Sequence, residues 1–208
     1  PIHQGQFTQI PLPSVNAIIS NFPFIQFEDH PDIGDLVEQF ENEFGTSQPA
    51  FLDGSNFYIN ERSDYFVYCF YHSLKYLLPN GFLSAITSNA WLGKNYGTQF
   101  KTFLLDNFSI RYVVRSNAEH WFTNSKVSTI FTTIQKVRDE LPTRFITLYF
   151  KLDDYFNDEN ESSHITMMEE IYTEVDNCDV PNNPNWTRDT QFENVYIKND
   201  GSIRVSLV

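Results

Sequence analysis

Apolar positions recur along the chain with two different periods, and the switches between them outline the elements. The run from Val15 to Ser20 is short and mostly apolar, as expected of a buried strand. From Asp64 to Leu78 the apolar residues Phe66, Phe70, Leu74 and Leu78 fall at four-residue spacing, on one face of a helix; Ser63 stands where it can cap that helix, and Asp64 places an acid in its first turn. Pro79-Asn80-Gly81 is read as its end. Phe82 to Thr87 is continuous and apolar enough for a central parallel strand, and Ser88-Asn89-Ala90-Trp91-Leu92 forms its exit loop. A second helix is predicted over Thr98 to Phe108, striped by Phe100, Phe103, Leu104 and Phe108, with Ser109 to Arg115 returning as a strand. After a loop carrying Trp121 and Phe122, Lys126 to Val137 alternates in the manner of a strand in an antiparallel hairpin at a sheet edge, and Arg144 to Leu152 reads as one more strand. The βαβαβ order makes the fold class α/β. Glu28 to Arg62 interrupts it as a surface insertion, with a short helix expected at Ile33 to Phe44.

Composition supports one packed domain: 208 residues, 41% hydrophobic and 16% aromatic. The two cysteines, Cys69 and Cys178, give no disulfide framework and no metal-ligand spacing, so no metal is expected and a reducing, cytoplasmic setting fits best. No run approaches the roughly 20 apolar residues that span a bilayer, so no membrane is expected. The chain opens on Pro1 and stops on the strand-like stretch Ser202 to Val208, which reads as a piece of something longer.

The formal charge of −13 argues at first against a nucleic-acid partner, because phosphate binding draws on Lys and Arg. Its distribution changes that reading. Ten acids between Glu28 and Asp64 face Arg62 alone, and ten more lie between Asp153 and Asp179 with no basic residue. From Lys75 to Lys151, ten basic residues outnumber four acids, so the middle of the chain is compatible with a polyanion. The acidic stretch from Asp153, ending in Pro181-Asn182-Asn183-Pro184, reads as a mobile connector.

Candidate chemistry gathers after the first strand, where Ser20-Asn21-Phe22-Pro23-Phe24 occupies the position at which open α/β sheets bind ligands. Asn21 offers an acceptor and donors, Pro23 fixes its own φ and restrains Phe22, and Phe24 presents a flat face. Such a set grips a planar amine, on a nucleobase or an amide; the same residues also suit an Asn turn closed by Pro. Asn89 and Trp91, at the exit of the next strand, are candidate substrate contacts, with packing as the plainer role for Trp91. Lys94 and Lys126 are candidate phosphate contacts, whereas His72 and His120 have no acid partner at catalytic spacing.

Read in order, Asn-Phe-Pro-Phe (21 to 24), Arg-Ser-Asp-Tyr-Phe-Val-Tyr (62 to 68), Leu-Leu-Pro-Asn-Gly-Phe-Leu-Ser-Ala-Ile-Thr-Ser-Asn-Ala-Trp-Leu (77 to 92), Tyr-Gly-Thr-Gln-Phe-Lys-Thr-Phe-Leu-Leu-Asp-Asn-Phe (96 to 108) and Phe-Thr-Asn-Ser-Lys-Val-Ser-Thr-Ile (122 to 130) resemble the adenine-specific DNA methyltransferases. The similarity is strongest to the branch that includes methylase domains of restriction-modification enzymes, and it covers about residues 15 to 152. It implies the carboxyl-terminal half of a class I, Rossmann-like sheet, parallel with an antiparallel edge hairpin. It also implies methyl transfer from S-adenosylmethionine to N6 of adenine in double-stranded DNA. Asn21 matches the Asn of the Asn-Pro-Pro-Tyr motif, whose side-chain oxygen accepts from the adenine amine, while the Phe22 carbonyl matches the second acceptor. Phe24 matches the aromatic that stacks on the flipped base, and Phe122 a later aromatic that closes the pocket.

Two departures stand out. Phe22 replaces the family's usual Pro, which is expected to leave the backbone at the carbonyl freer. The Gly-rich loop that binds S-adenosylmethionine in this fold is not present, and the chain alone is expected to be inactive. The division expected is therefore a partial catalytic domain over 1–152 and, over 153–208, an acidic connector leading toward a target-recognition domain, with a nuclease domain as another candidate neighbour in the parent. Methylation of a glutamine amide in proteins, and a non-catalytic methylase-like module, are the competing readings.

Overall fold

Among the described residues, alternating strands and helices assemble into a mixed sheet of eight strands, ordered β1-β2-β4-β3-β5-β8-β7-β6. The structure, a computed structural model, describes residues 12–29, 59–60, 62–121, 128–137, 139–152 and 161–208, with 34, 35, 37, 38 and 42 besides. The strands are β1 (Val15–Asn21), β2 (Leu77–Ser88), β3 (Ser109–Ser116), β4 (Thr129–Gln135), β5 (Arg144–Leu148), β6 (Trp186–Arg188), β7 (Val195–Lys198) and β8 (Ile203–Leu207). The helices are α1 (Tyr65–Tyr76), the single turn α2 (Ala90–Gly93), α3 (Tyr96–Asn107) and α4 (Glu161–Asp176). Pairing fixes the directions: β1, β2, β3, β5 and β7 run one way, and β4, β8 and β6 run back.

On one face of the sheet α1 and α3 bury an aromatic core. Phe66, Phe70, Tyr71 and Leu74 of α1 and Phe100 and Leu104 of α3 cluster with Leu83 and Ala85 of β2 and Ile130 and Ile134 of β4. Phe70 meets Phe100 edge to face, with ring centroids 5.2 Å apart, a geometry the ring quadrupoles favour. A second cluster joins Ile171 and Val175 of α4 to Ile146, Leu148, Ile203 and Val205 of β5 and β8. The same alternation puts successive side chains on opposite faces, so strands in the middle of the sheet are buried twice.

Several expectations are corrected. Strand β4 is not at an edge: it lies between β2 and β3, antiparallel to both. Its burial explains why, since Ile130, Thr132, Thr133 and Ile134 are all buried, whereas β1, which is an edge, leaves Ile19 84% exposed. Threonine reads as polar in an alternation count, yet its methyl and compact hydroxyl fit a buried strand; Thr133 shares a 2.9 Å hydrogen bond with Ser84 of β2. Pro79-Asn80-Gly81 does not leave the sheet either. Helix α1 ends at Tyr76 and the chain enters β2 directly, with Asn80 at φ 64° and the β1–β2 register shifting between Val15 and Ala17. Ser63 is not the cap of α1; Asp64 holds the N-cap position.

The acidic stretch read as a connector carries, over its described part, helix α4 and then β6, β7 and β8, and β8 adds to the sheet beside β5. Of the helix expected at Ile33 to Phe44, residues 34, 35, 37, 38 and 42 are helical; the rest of the insertion lies outside the described residues.

The junction of α2 and α3 is where the backbone is tightest. A Cβ at Gly97 would fall inside the Trp91 carbonyl group, while nothing lies within 4 Å of a Cβ at Gly93. Gly97→Ala is expected to destabilise by about 1–3 kcal/mol, as overpacked sites do. Gly93→Ala should stay within about 0.5 kcal/mol, as open surface sites do. Urea midpoints of the two variants check the contrast.

Candidate functional site

Strands that share a direction end at a common rim, and their registers place Asn21 beside Ile86, and Ser88 of β2 opposite Thr129 of β4. Asn21 is the last residue of β1 and is exposed. Alternation then turns Phe22 inward, where it is 6% exposed and meets Phe70 edge-on at 5.9 Å. The Phe22 N–H donates to the Ile86 carbonyl at 3.2 Å, so the β1–β2 pairing continues one residue beyond the strand. Proline has no N–H and could not make this bond. The backbone expected to be freer at Phe22 is therefore anchored twice, by a main-chain bond and by a buried ring. Pro23 and Phe24 follow as half-buried residues.

Phe24 opens onto a cavity of about 260 Å³ whose walls include Gln26, Asp64, Phe66, Ser88, Asn89, Lys94 and Ser128. Local hydrogen bonds hold this wall. The Asn89 N–H donates to the Ser128 carbonyl at 2.9 Å, and the Ala90 N–H to Ser88 Oγ at 3.1 Å. The Tyr65 N–H donates to the Ile25 carbonyl at 3.0 Å, which ties the start of α1 to the segment after Phe24. Phe24 supplies aromatic surface, with Phe66 buried behind the wall, and Ser88, Asn89 and Lys94 supply polar groups, the composition expected of a site for a planar polar ligand.

Asp64 is the buried charge of this cavity, its side chain 5% exposed. Tyr96 Oη donates to its Oδ2 at 2.7 Å, and Lys94 Nζ lies 3.8 Å from Oδ1. Burial first, and then the bond to Asp64, push the Tyr96 phenol far above its ordinary range, so it remains a donor throughout neutral pH. Oδ1 has no hydrogen-bond partner, a state that costs about 1–3 kcal/mol in a buried polar group.

Phe24 and Asn89 thus meet in one cavity. Asn21 is at the same rim but not in its wall. Trp91 is corrected to a packing residue: it is 2% exposed and stands edge-on to Phe100 at 5.4 Å. Phe122 and Lys126 lie outside the described residues. Sequence reasoning missed Asp64 as a residue of the cavity wall, and Tyr96 as its partner, because an acid before an apolar helical run carries the signature of a helix start.

The basic middle of the chain is largely spent within the fold. Lys101 donates to the Leu92 carbonyl and Lys136 to the Leu77 carbonyl, while Arg111 binds Gln135 and Asp139, Arg115 binds Thr147, and Arg144 pairs with Asp176. A larger cavity of about 370 Å³ beneath α4 is lined chiefly by Ile86, Val114, Phe131, Leu148 and Met168 and offers little chemistry.

A nucleoside cofactor needs an open backbone turn of the kind a glycine supplies. The space above Gly81 is filled by the Asn16 carbonyl and Leu77, and that above Gly97 by Trp91, so neither forms an open cradle. Gly93 is open but closes a helix of four residues. None of these three glycines fits a cofactor loop.

Residues 14–122 match the family model of the Eco57I restriction-modification methylases. The chain is also similar to the type II methyltransferase M.BstVI of Geobacillus stearothermophilus, 26% identical over 107 residues, which is 51% of this chain and 17% of that protein. Similar structures include a protein of Listeria monocytogenes described as a class I S-adenosylmethionine-dependent methyltransferase, with a TM-score of 0.52 at 14% identity, covering 82% of this chain and 44% of that one. Another is the type I restriction-modification methyltransferase subunit of Streptococcus thermophilus, with a TM-score of 0.51 at 14% identity, over 83% of this chain and 34% of that one. At such identities the likeness establishes a fold, the class I methyltransferase sheet.

The double anchor of Phe22 generates a test. Phe22→Pro removes both the N–H and the buried ring, and is expected to cost about 3 kcal/mol or more, the scale of losing a buried Phe. Denaturant unfolding of the variant measures it; a variant as stable as the parent would contradict the anchor.

Proposed function

Since the chain belongs to the Eco57I restriction-modification methylase family, we propose that the protein containing it methylates the N6 amine of adenine in double-stranded DNA, with S-adenosylmethionine as methyl donor. The observation that carries this reading is the exposed Asn21 at the end of a parallel strand, followed by a carbonyl that the Phe22 anchor holds still and by Phe24 against an open cavity.

An amine inside a duplex is out of reach, so the base must leave the stack. Outside it, the Asn21 amide oxygen accepts one amine hydrogen and the Phe22 carbonyl is the neighbouring acceptor, while Phe24 offers its face to the ring. Acceptors fixed before the substrate arrives polarise the amine without reorganising, and they hold its nitrogen in line for attack. A strong general base is then unnecessary. Choice of DNA sequence falls, in this reading, to a target-recognition domain of the same parent, cleavage to a nuclease domain if one is fused, and the setting is the cytoplasm. No described helix is long and apolar enough to cross a membrane.

Incubating the purified protein with duplex DNA and methyl-labelled S-adenosylmethionine, then separating the nucleosides, should place the label on N6-methyladenine. Asn21→Ala should lower kcat by about a hundredfold or more, the scale of losing one fixed hydrogen-bonding group. Label on cytosine, label on a glutamine peptide instead of DNA, or an unimpaired Asn21→Ala enzyme would each overturn the assignment.

A further inference from the structure

The row of the sheet that holds Asn21 runs on through Ile86, Phe131, Val114 and Ile146 to Val205, one residue from each of six strands. One step nearer the rim, the next row sets Arg115 of β3, Thr147 of β5 and Arg204 of β8 side by side. Residues two apart on a strand share a face, so Arg115 and its row partners lie on the face of buried Val113, the one that packs α1 and α3. Strands spaced about 4.8 Å apart put Arg115 roughly 14 Å and Arg204 roughly 24 Å along the sheet from β1.

Both arginines are held in place with donors to spare. Arg115 is exposed; its Nε donates to Thr147 Oγ1 at 3.0 Å, its Cζ lies 5.7 Å from the Phe145 ring centre, and among the described residues no acid pairs with it. Arg204 has its Cζ 5.8 Å from the Phe192 ring centre, and Asp189 comes only to 3.9 Å of its Nη2, beyond hydrogen-bond reach. Arg111, by contrast, spends all three nitrogens on Gln135 and Asp139. A ring beneath a guanidinium fixes its plane and leaves its edge to bind.

We propose that Arg115 and Arg204 form a phosphate track, each gripping one backbone phosphate of the duplex whose extruded base is presented at Asn21. The inference rests on the function proposed above, because it takes the ligand at Asn21 to be a base still joined to its duplex. A planar fork of N–H donors matches two oxygens of one phosphate, and two such forks in one row follow a backbone that passes along the strand ends. Contacts of this kind fix register and orientation and read no sequence. A chain of net charge −13 thereby holds a polyanion through two fixed cations rather than through its overall field.

Equilibrium binding to duplex DNA over a series of salt concentrations tests this. Log affinity of the wild type should fall linearly with log salt. Arg115→Gln and Arg204→Gln should each flatten the slope by about 0.9, the share of one phosphate, and weaken binding alike on duplexes of unlike sequence. Lys75→Gln removes the same charge from the last turn of α1, at the end of β2 away from the rim, and should keep the wild-type slope. A wild-type slope in either arginine variant, a loss confined to one sequence, or equal flattening by Lys75→Gln would overturn the inference and leave the methyltransferase reading standing. Where Arg115→Gln fails to fold without its bond to Thr147, as circular dichroism would show, Arg204→Gln decides alone. Wild-type protein that binds no duplex would sink the proposed function itself.

Discussion

Strand β4 is zipped on both sides, to β2 from Phe82↔Gln135 to Ser88↔Thr129 and to β3 from Ser109↔Gln135 to Val114↔Phe131. Each pairing fixes the other, because a slip of one residue would turn Ile130, Thr132 and Ile134 out of the aromatic core and Phe131 into it. With β4 locked, the ends of β2 and β3 come to the same height, and β1 inherits that height through its parallel register with β2. The position of Asn21 is thus set by a strand more than a hundred residues along the chain, roughly what a sheet built on non-local pairing entails. Chemistry at the rim depends on this alignment more than on any feature of the tetrapeptide itself.

How much of this the sequence disclosed depends on how local the cause was. The helices α1 and α3 were legible within a few residues, because Phe66, Phe70 and Leu74, and Phe100 and Leu104, repeat at the helical period. The rim position of Asn21 was legible too, from an apolar run followed by a polar stop. The placement of β4 was not, since alternation of Thr with Ile looks the same at an edge and in the interior, and only the partners decide. Of the last three strands only β8 was legible, in the stretch Ser202 to Val208; β6 and β7 are three and four residues long, too short to show a period, although Val195 is buried in the sheet. Phe22 was read as a loosened proline site because the gain, an N–H to Ile86 and a ring against Phe70, lies on residues distant in sequence.

Asp64 shows where local rules give way. By position it should cap α1 and gain about 1 kcal/mol; it forgoes that gain, and its Oδ1 has no hydrogen bond, only the Lys94 ammonium 3.8 Å away. Folded proteins tend to break such rules at working sites, and the breach here coincides with the polar cavity next to Phe24. Tyr96 makes the arrangement durable. Its hydroxyl both holds Oδ2 and, by staying protonated, keeps the carboxylate from rotating back toward its helix.

The pairing of β5 with β8 makes everything from Tyr149 to Ser202 a closed detour whose two ends are stapled together, the Tyr149 N–H donating to the Ser202 carbonyl at 2.9 Å. Chain that leaves and re-enters through one doorway can change length at little entropic expense, about 0.6 kcal/mol per doubling. Relatives could therefore exchange the content of this detour wholesale, lengthening or replacing it, while the β1 edge on the far side of the sheet keeps its shape.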